Sequence, residues 1–185
     1  MKFLGTTALV GMLLLCQAGQ GLGQTRSASV FLLEDARANQ WCAYGKEAPW
    51  KAAVQQSAAS TVGSLTYVNK RLAQIDVTRT GESGDWLVYD HYFLDEHEQI
   101  VRLSRTINVL PGDRSVVQVF SIRDGEAKRA ATTETQLSTG KPLSSPESVW
   151  LPELPILTRI NMSPFSGLLV RSDLMTSSKS CISAR

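Results

Sequence analysis

Trp86-Leu87-Val88-Tyr89-Asp90-His91-Tyr92-Phe93-Leu94 is followed, after Asp95-Glu96-His97-Glu98, by Gln99-Ile100-Val101-Arg102-Leu103-Ser104-Arg105-Thr106-Ile107-Asn108-Val109-Leu110. Both runs are rich in aromatic and β-branched residues and alternate with a period of two, the pattern of strands with one buried face. A tight turn centred on Glu96-His97 pairs Leu94 with Gln99, Tyr92 with Val101, Asp90 with Leu103 and Val88 with Arg105. One face then carries Trp86, Val88, Tyr92 and Leu94 with Val101, Leu103, Ile107 and Val109. Asp90 and Arg105 interrupt that face as diagonal neighbours, within reach of a long side chain. A buried charge is costly unless paired, so the register predicts an Asp90–Arg105 ion pair. It is either a satisfied core pair or the polar anchor of a pocket.

Outward from this hairpin the strand grammar continues. Leu65 to Asn69 reads as a strand, and in the next Ala73, Ile75 and Val77 alternate with Gln74, Asp76 and Thr78. Gly81-Glu82-Ser83-Gly84-Asp85 is a loop. Leu110-Pro111-Gly112-Asp113 has the residues of a type II turn. Ser115 to Ile122 is a Val-rich strand, Asp124-Gly125 is a hairpin signal, and Ala127 to Leu137 is a polar strand at an edge or facing water. Turns this short forbid parallel crossovers, so the core sheet, about 64–140, is an antiparallel meander.

The flanks differ. Val30-Phe31-Leu32-Leu33 fits a helix or a strand, because so short an apolar run has no decisive period. Glu47 to Ala59 reads as a helix with Pro49 in its first turn and Trp50, Ala53 and Val54 on one face. Five of the seven prolines fall between Pro142 and Pro164. Val149 to Leu157 within it is apolar and lacks ladder donors, which suits an extended strap over the open sheet better than a central strand. The alternative is a segment that docks on a partner. Gly167 to Met175 is amphipathic and returns the chain toward the core. The fold class is α+β, predominantly antiparallel β: a curved meander with one or two short N-terminal helices and a Pro-rich strap over 142–165.

The N-terminus has the three parts of an export signal: Lys2, the apolar run Phe3 to Leu15, then small residues. Cleavage fits after Ala18 or after Gly23. The apolar run, about 13 residues, falls short of the roughly 20 a spanning helix needs, and Leu15 before Cys16 argues against lipidation. Residues 1–23 are therefore read as a signal peptide and 24–185 as one exported domain, secreted or periplasmic, with no stable membrane insertion after cleavage. The leader removes Cys16 and leaves Cys42 and Cys181, the count that closes one disulfide in an oxidising compartment. A nucleophilic Cys42 would need an activating base, and none is near in sequence.

The chain has 19 Lys and Arg against 17 Asp and Glu. So even a balance excludes the basic stripe of a nucleic-acid binder. No phosphate loop, dinucleotide fingerprint, G-x-S-x-G or H-E-x-x-H occurs, so no catalytic residue and no cofactor is assigned. His91 and His97, the only histidines, are about 20 Å apart along an extended strand, too far to share a metal ion. Asn161-Met162-Ser163 fits a glycosylation sequon, but Pro164 follows it.

Two functions remain. One is a non-enzymatic module for a small apolar or amphipathic ligand or a protein partner, with Trp86, Asp90, Tyr92 and Arg105 as candidate binding residues. It calls for an apolar cavity of several hundred Å³. Periplasmic lipid carriers share a curved sheet with a helix, an architectural analogy alone. The other is a hydrolase-like enzyme using carboxylates or His91, which calls for a cleft where His91 meets two carboxylates.

Overall fold

The structure is a computed structural model, describing residues 27–57, 59–143, 151–169 and 179–183. Residues 1–26 lie outside them, so the leader and its cut site have no structural account. Val149 and Trp150 of the strap and most of Gly167 to Met175 lie outside them as well.

Among the described residues nine strands form one open antiparallel sheet. They are β1 (Ser27–Asp35), β2 (Gln40–Tyr44), β3 (Thr61–Val68), β4 (Arg71–Thr80), β5 (Trp86–Leu94), β6 (Ile100–Val109), β7 (Arg114–Arg123), β8 (Glu126–Gln136) and β9 (Ser180–Ser183). Helix α1 (Glu47–Gln56) follows β2, and the four-residue α2 (Ser166–Leu169) follows the strap. The spatial order is β8-β7-β6-β5-β4-β3-β1-β2-β9. The meander from β3 to β8 is as read from the sequence. Two strands also precede the helix, so the sheet begins well before residue 64, and the second helix is C-terminal rather than N-terminal.

Burial explains the ambiguous run. On β1, Val30 and Leu32 face the main core, while Phe31 and Leu33 face α1. A strand covered on both sides loses its polar alternation, so periodicity cannot reveal it. β2 and β3 run in the same direction with β1 between them. Their connection must cross β1, and α1 is that crossover. Trp50, Ala53 and Val54 pack on Leu33, Cys42 and Tyr44. The Trp50 ring stacks on Phe31 at 5.2 Å and its Nε1 donates to the Leu32 carbonyl at 2.9 Å. The helix ends at Gln56, short of Ala59.

Cys42 pairs directly with Cys181 across β2 and β9, and the two form a disulfide. It spans 139 residues of sequence. A loop that long corresponds to about 5 kcal/mol of lost unfolded-state entropy in a chain-entropy treatment.

The β5–β6 register differs from expectation by two residues. Tyr92 lies opposite Leu103, Asp90 opposite Arg105 and Val88 opposite Ile107. Two offsets of one residue add up: the turn is one residue longer, with Leu94 opposite Ile100 in place of Gln99, and a bulge follows, where Phe93 pairs with Arg102. Val101 is the extra residue, 39% exposed, and Ile100 takes its buried place. A shift of two keeps every other side chain on its face. Asp95 shapes the turn, its Oδ1 accepting from the His97 and Gln99 amides at 2.9 Å. The Gln99 bond leads in holding the Asp95 carboxyl below its ordinary pKa.

Two further turns test residue chemistry. Asp124 and Gly125 both have positive φ, 54° and 81°, the type I′ geometry their sequence announces. The turn at 110–113 is not type II. The left-handed residue is Asp113 (φ 46°), not Gly112. Asp tolerates that region, and its carboxylate there collects Ser138 Oγ at 2.7 Å and Gln136 Nε2 and the Ser138 amide at 2.8 Å. These bonds, the Ser138 hydroxyl first, hold its pKa below the ordinary value.

Candidate functional site

Register places Asp90, Arg105, Gln118 and Thr132 side by side across β5 to β8. This polar row divides the inner face of the sheet. On one side lie Val88, Ile107 and Val116. On the other lie Tyr92, Leu103 and Phe120, continuous with the core of β1 to β4. The strap packs on both clusters, Leu151 and Leu154 on the first, Ile156, Leu157 and Ile160 on the second. It therefore has to cross the polar row at residues 154–155.

The chemistry of that crossing is specific. Asp90 is fully buried. Arg105 binds it in two-pronged fashion, Nε to Oδ1 at 2.6 Å and Nη2 to Oδ2 at 2.9 Å. Two more hydrogens of Arg105 reach the strap, Nη1 to the Leu154 carbonyl at 2.9 Å and Nη2 to the Pro155 carbonyl at 3.1 Å. A proline-rich extended segment suits this position, because it offers carbonyls and few N–H groups that would need partners. The Leu157 amide, next along, donates to the Tyr92 hydroxyl at 3.2 Å. Burial opposes the Arg105 charge, yet the Asp90 bond and charge outweigh it and raise its pKa. Burial first, then the Asp90 charge, raises the Tyr92 pKa.

A second guanidinium joins the cluster. Arg79 on β4 donates Nη1 to Asp90 Oδ2 at 2.7 Å, with its side chain 23% exposed. Arg79 and Tyr92 line a mostly apolar cavity of about 150 Å³ between strap and sheet. Val77, Ile156, Leu157 and Phe165 complete much of its wall, and Met162 stands at 67% exposure beside it. Ser163, a buried residue, also lines it, and its hydroxyl oxygen has no hydrogen-bond partner. The cavity is smaller than a lipid pocket requires, because strap side chains fill most of the inner face. The larger space, about 610 Å³, lies at the ends of the β5–β6 and β7–β8 hairpins and is lined by Glu98, Arg123, Asp124 and Arg159 among others.

Of the four binding residues read from the sequence, the structure brings Asp90, Tyr92 and Arg105 together. Asp90 and Arg105 face each other directly instead of diagonally. Trp86 stands four residues from Asp90, roughly 13 Å along the strand, packed with the Val88 cluster. Of the four, Tyr92 alone lines the cavity. The sequence reading missed Arg79 and Ser163. Arg79 shares the strand parity of Ile75 and Val77, which is a legible sign of an inward-facing charge. Ser163 carried no such sign.

The enzyme reading fares differently. His91 faces the other side of the sheet, where its Nδ1 lies 2.6 Å from Asp76 Oδ1. Asp76 also accepts from Gln74 Nε2 at 2.6 Å and Ser64 Oγ at 3.2 Å. Ser64 thus bonds the carboxylate, not the imidazole, so the histidine is not placed as its base. Among the described residues one carboxylate, that of Asp76, meets His91. Among the described residues no three His, Cys, Asp or Glu side chains are grouped to hold a metal ion, and no helix is long and apolar enough to cross a membrane.

No protein-family model, curated protein or solved structure matches the chain.

Proposed function

We propose that this is an exported, non-enzymatic binding protein that takes a small amphipathic ligand beneath its strap. The observation that carries the reading is the cavity between Tyr92, Arg79 and the strap, apolar in its body with polar groups at its wall. Export is supported by the leader-like residues 1–23 and by the Cys42–Cys181 disulfide, a bond that persists in oxidising compartments. N-terminal sequencing of the processed protein tests it. The expected start is Gly19 or Gln24, and a product retaining Met1 refutes the leader.

Binding is tested with toluene as an apolar probe, followed by amide NMR shifts. The expected shifts centre on Val77, Tyr92, Leu157 and Phe165. No saturable shift there sinks the reading. A protein partner is the second reading, favoured by β8. This eleven-residue edge strand is largely exposed, and among the described residues its outer edge is bridged at Thr135 to Pro142. Lys128 and Arg129 on it discourage indiscriminate pairing, leaving room for a selective added strand.

A further inference from the structure

The charges around the cavity do not balance. Asp90 carries one negative charge and faces two guanidiniums, Arg105 and Arg79. Arg105 satisfies it with paired bonds and gives two further hydrogens to the strap. Arg79 makes one contact to the same carboxylate. Among the described residues Asp90 is the one acid in ion-pair contact with it. The cluster therefore holds one positive charge in excess, and Arg79 is its charged member at the cavity wall. A cation partly removed from water attracts an anion more strongly than an exposed one does.

A second, independent observation lies on the same cavity. Ser163 is 4% exposed, and its hydroxyl is buried with no partner. An unmade hydrogen bond in a buried group is unfavourable, and a ligand acceptor would recover it. The cavity volume, about 150 Å³, fits a body the size of a benzene ring.

Resting on the binding reading above, we propose that the ligand is a small monocarboxylate. Its carboxylate takes Arg79 and the Ser163 hydroxyl, and its compact apolar body lies against Val77, Leu157 and Phe165. Arginine suits this role because its fork offers further N–H donors beyond the one given to Asp90. No bond is made or broken. The site binds and does not transform.

The test uses the full exported chain and two probes of one shape, benzoate and benzyl alcohol, titrated by calorimetry and by amide NMR shifts at the cavity residues. The expected result is saturable binding of both, with benzoate at least tenfold tighter. Arg79→Gln should lower benzoate affinity at least tenfold and so abolish that preference. Ser163→Ala should weaken benzoate several-fold. Equal affinity of the two probes for the unaltered protein overturns the carboxylate assignment and leaves the binding reading standing. Binding of neither overturns both. Because the two-probe comparison needs no variant, misfolding of Arg79→Gln leaves the test intact, and Arg79→Lys, which keeps the charge, then serves as the substitute.

Discussion

Asp76 and Asp90 sit on neighbouring strands of one sheet and face opposite ways. Asp90 is sealed under the strap, with two arginines and the Tyr92 hydroxyl around it. Asp76 faces the outer side with its side chain 26% exposed and bonds His91, Gln74 and Ser64. Both are well bonded, so a tally of contacts would rank them alike. What separates them is water. The outer groups trade protein bonds for solvent at small cost, whereas the inner ones have no solvent to return to. The inner cluster also fixes a remote segment, since Arg105 and Tyr92 hold the strap that roofs the cavity. The outer cluster ties together strands that are already paired.

The sharpest break of this comparison is Asp90→Asn. It strands two guanidiniums, one of them deeply buried, and should cost about 3–5 kcal/mol in denaturant unfolding. A loss below 1 kcal/mol would mean that the cluster is not buried in solution. Replacing both partners, Asp90→Leu with Arg105→Met, asks whether the pair is mere core filling. Such swaps are often neutral for a buried ion pair. Here the Leu154 and Pro155 carbonyls lose their donors, so a cost of about 1–3 kcal/mol should persist. A neutral double variant would show that the strap is held by apolar packing alone.

Tyr92→Phe removes the acceptor for the Leu157 amide and should cost about 1 kcal/mol, with faster hydrogen exchange at Leu157. The same residue gives a pH test. Its pKa in the fold is raised above the ordinary 10.0, by burial first and the Asp90 charge second. The folded state thus holds that proton more tightly than the unfolded chain. The associated stability is complete below about pH 10 and is lost as pH rises through the folded value. Tyr92→Phe should flatten this alkaline decline in part, since the Tyr67 pKa is also raised, chiefly by burial. An unchanged alkaline curve would remove Tyr92 from the account. At the small end, Asp76→Asn or His91→Ala should change stability by no more than about 1 kcal/mol, because exposure screens the pair. A loss as large as that from Asp90→Asn would erase the distinction between the two faces.

The inner cluster was half legible. Asp90 and Arg105 stood out because they break an apolar parity, and parity survives the two-residue error in register. The error itself came from a turn one residue longer than expected and from a bulge at Phe93–Leu94, whose extra residue, Val101, looks like any inward-facing valine. Arg79 was readable in the same way but lies on another strand, and nothing local says how β4 aligns with β5. The strap carbonyls meet Arg105 from 49 and 50 residues away, and Ser163 comes from farther along the chain. No pattern in the sequence marks which carbonyls will meet an arginine.

The sequence by itself determined the antiparallel meander, through alternation and short turns, and the inward-facing Asp90 and Arg105. It also offered Cys42 and Cys181 as a pair, on the expectation that Cys16 belongs to a leader, and the two are bonded in the fold. Tertiary structure decided the placement of β1 and β2, since strands buried on both faces carry no periodic signal. It also decided that the strap crosses the polar row at Leu154 and Pro155, closing a small cavity in place of a large one. Those outcomes depend on distant segments competing for the same donors and the same apolar surface, and that competition is settled only when the chain is packed.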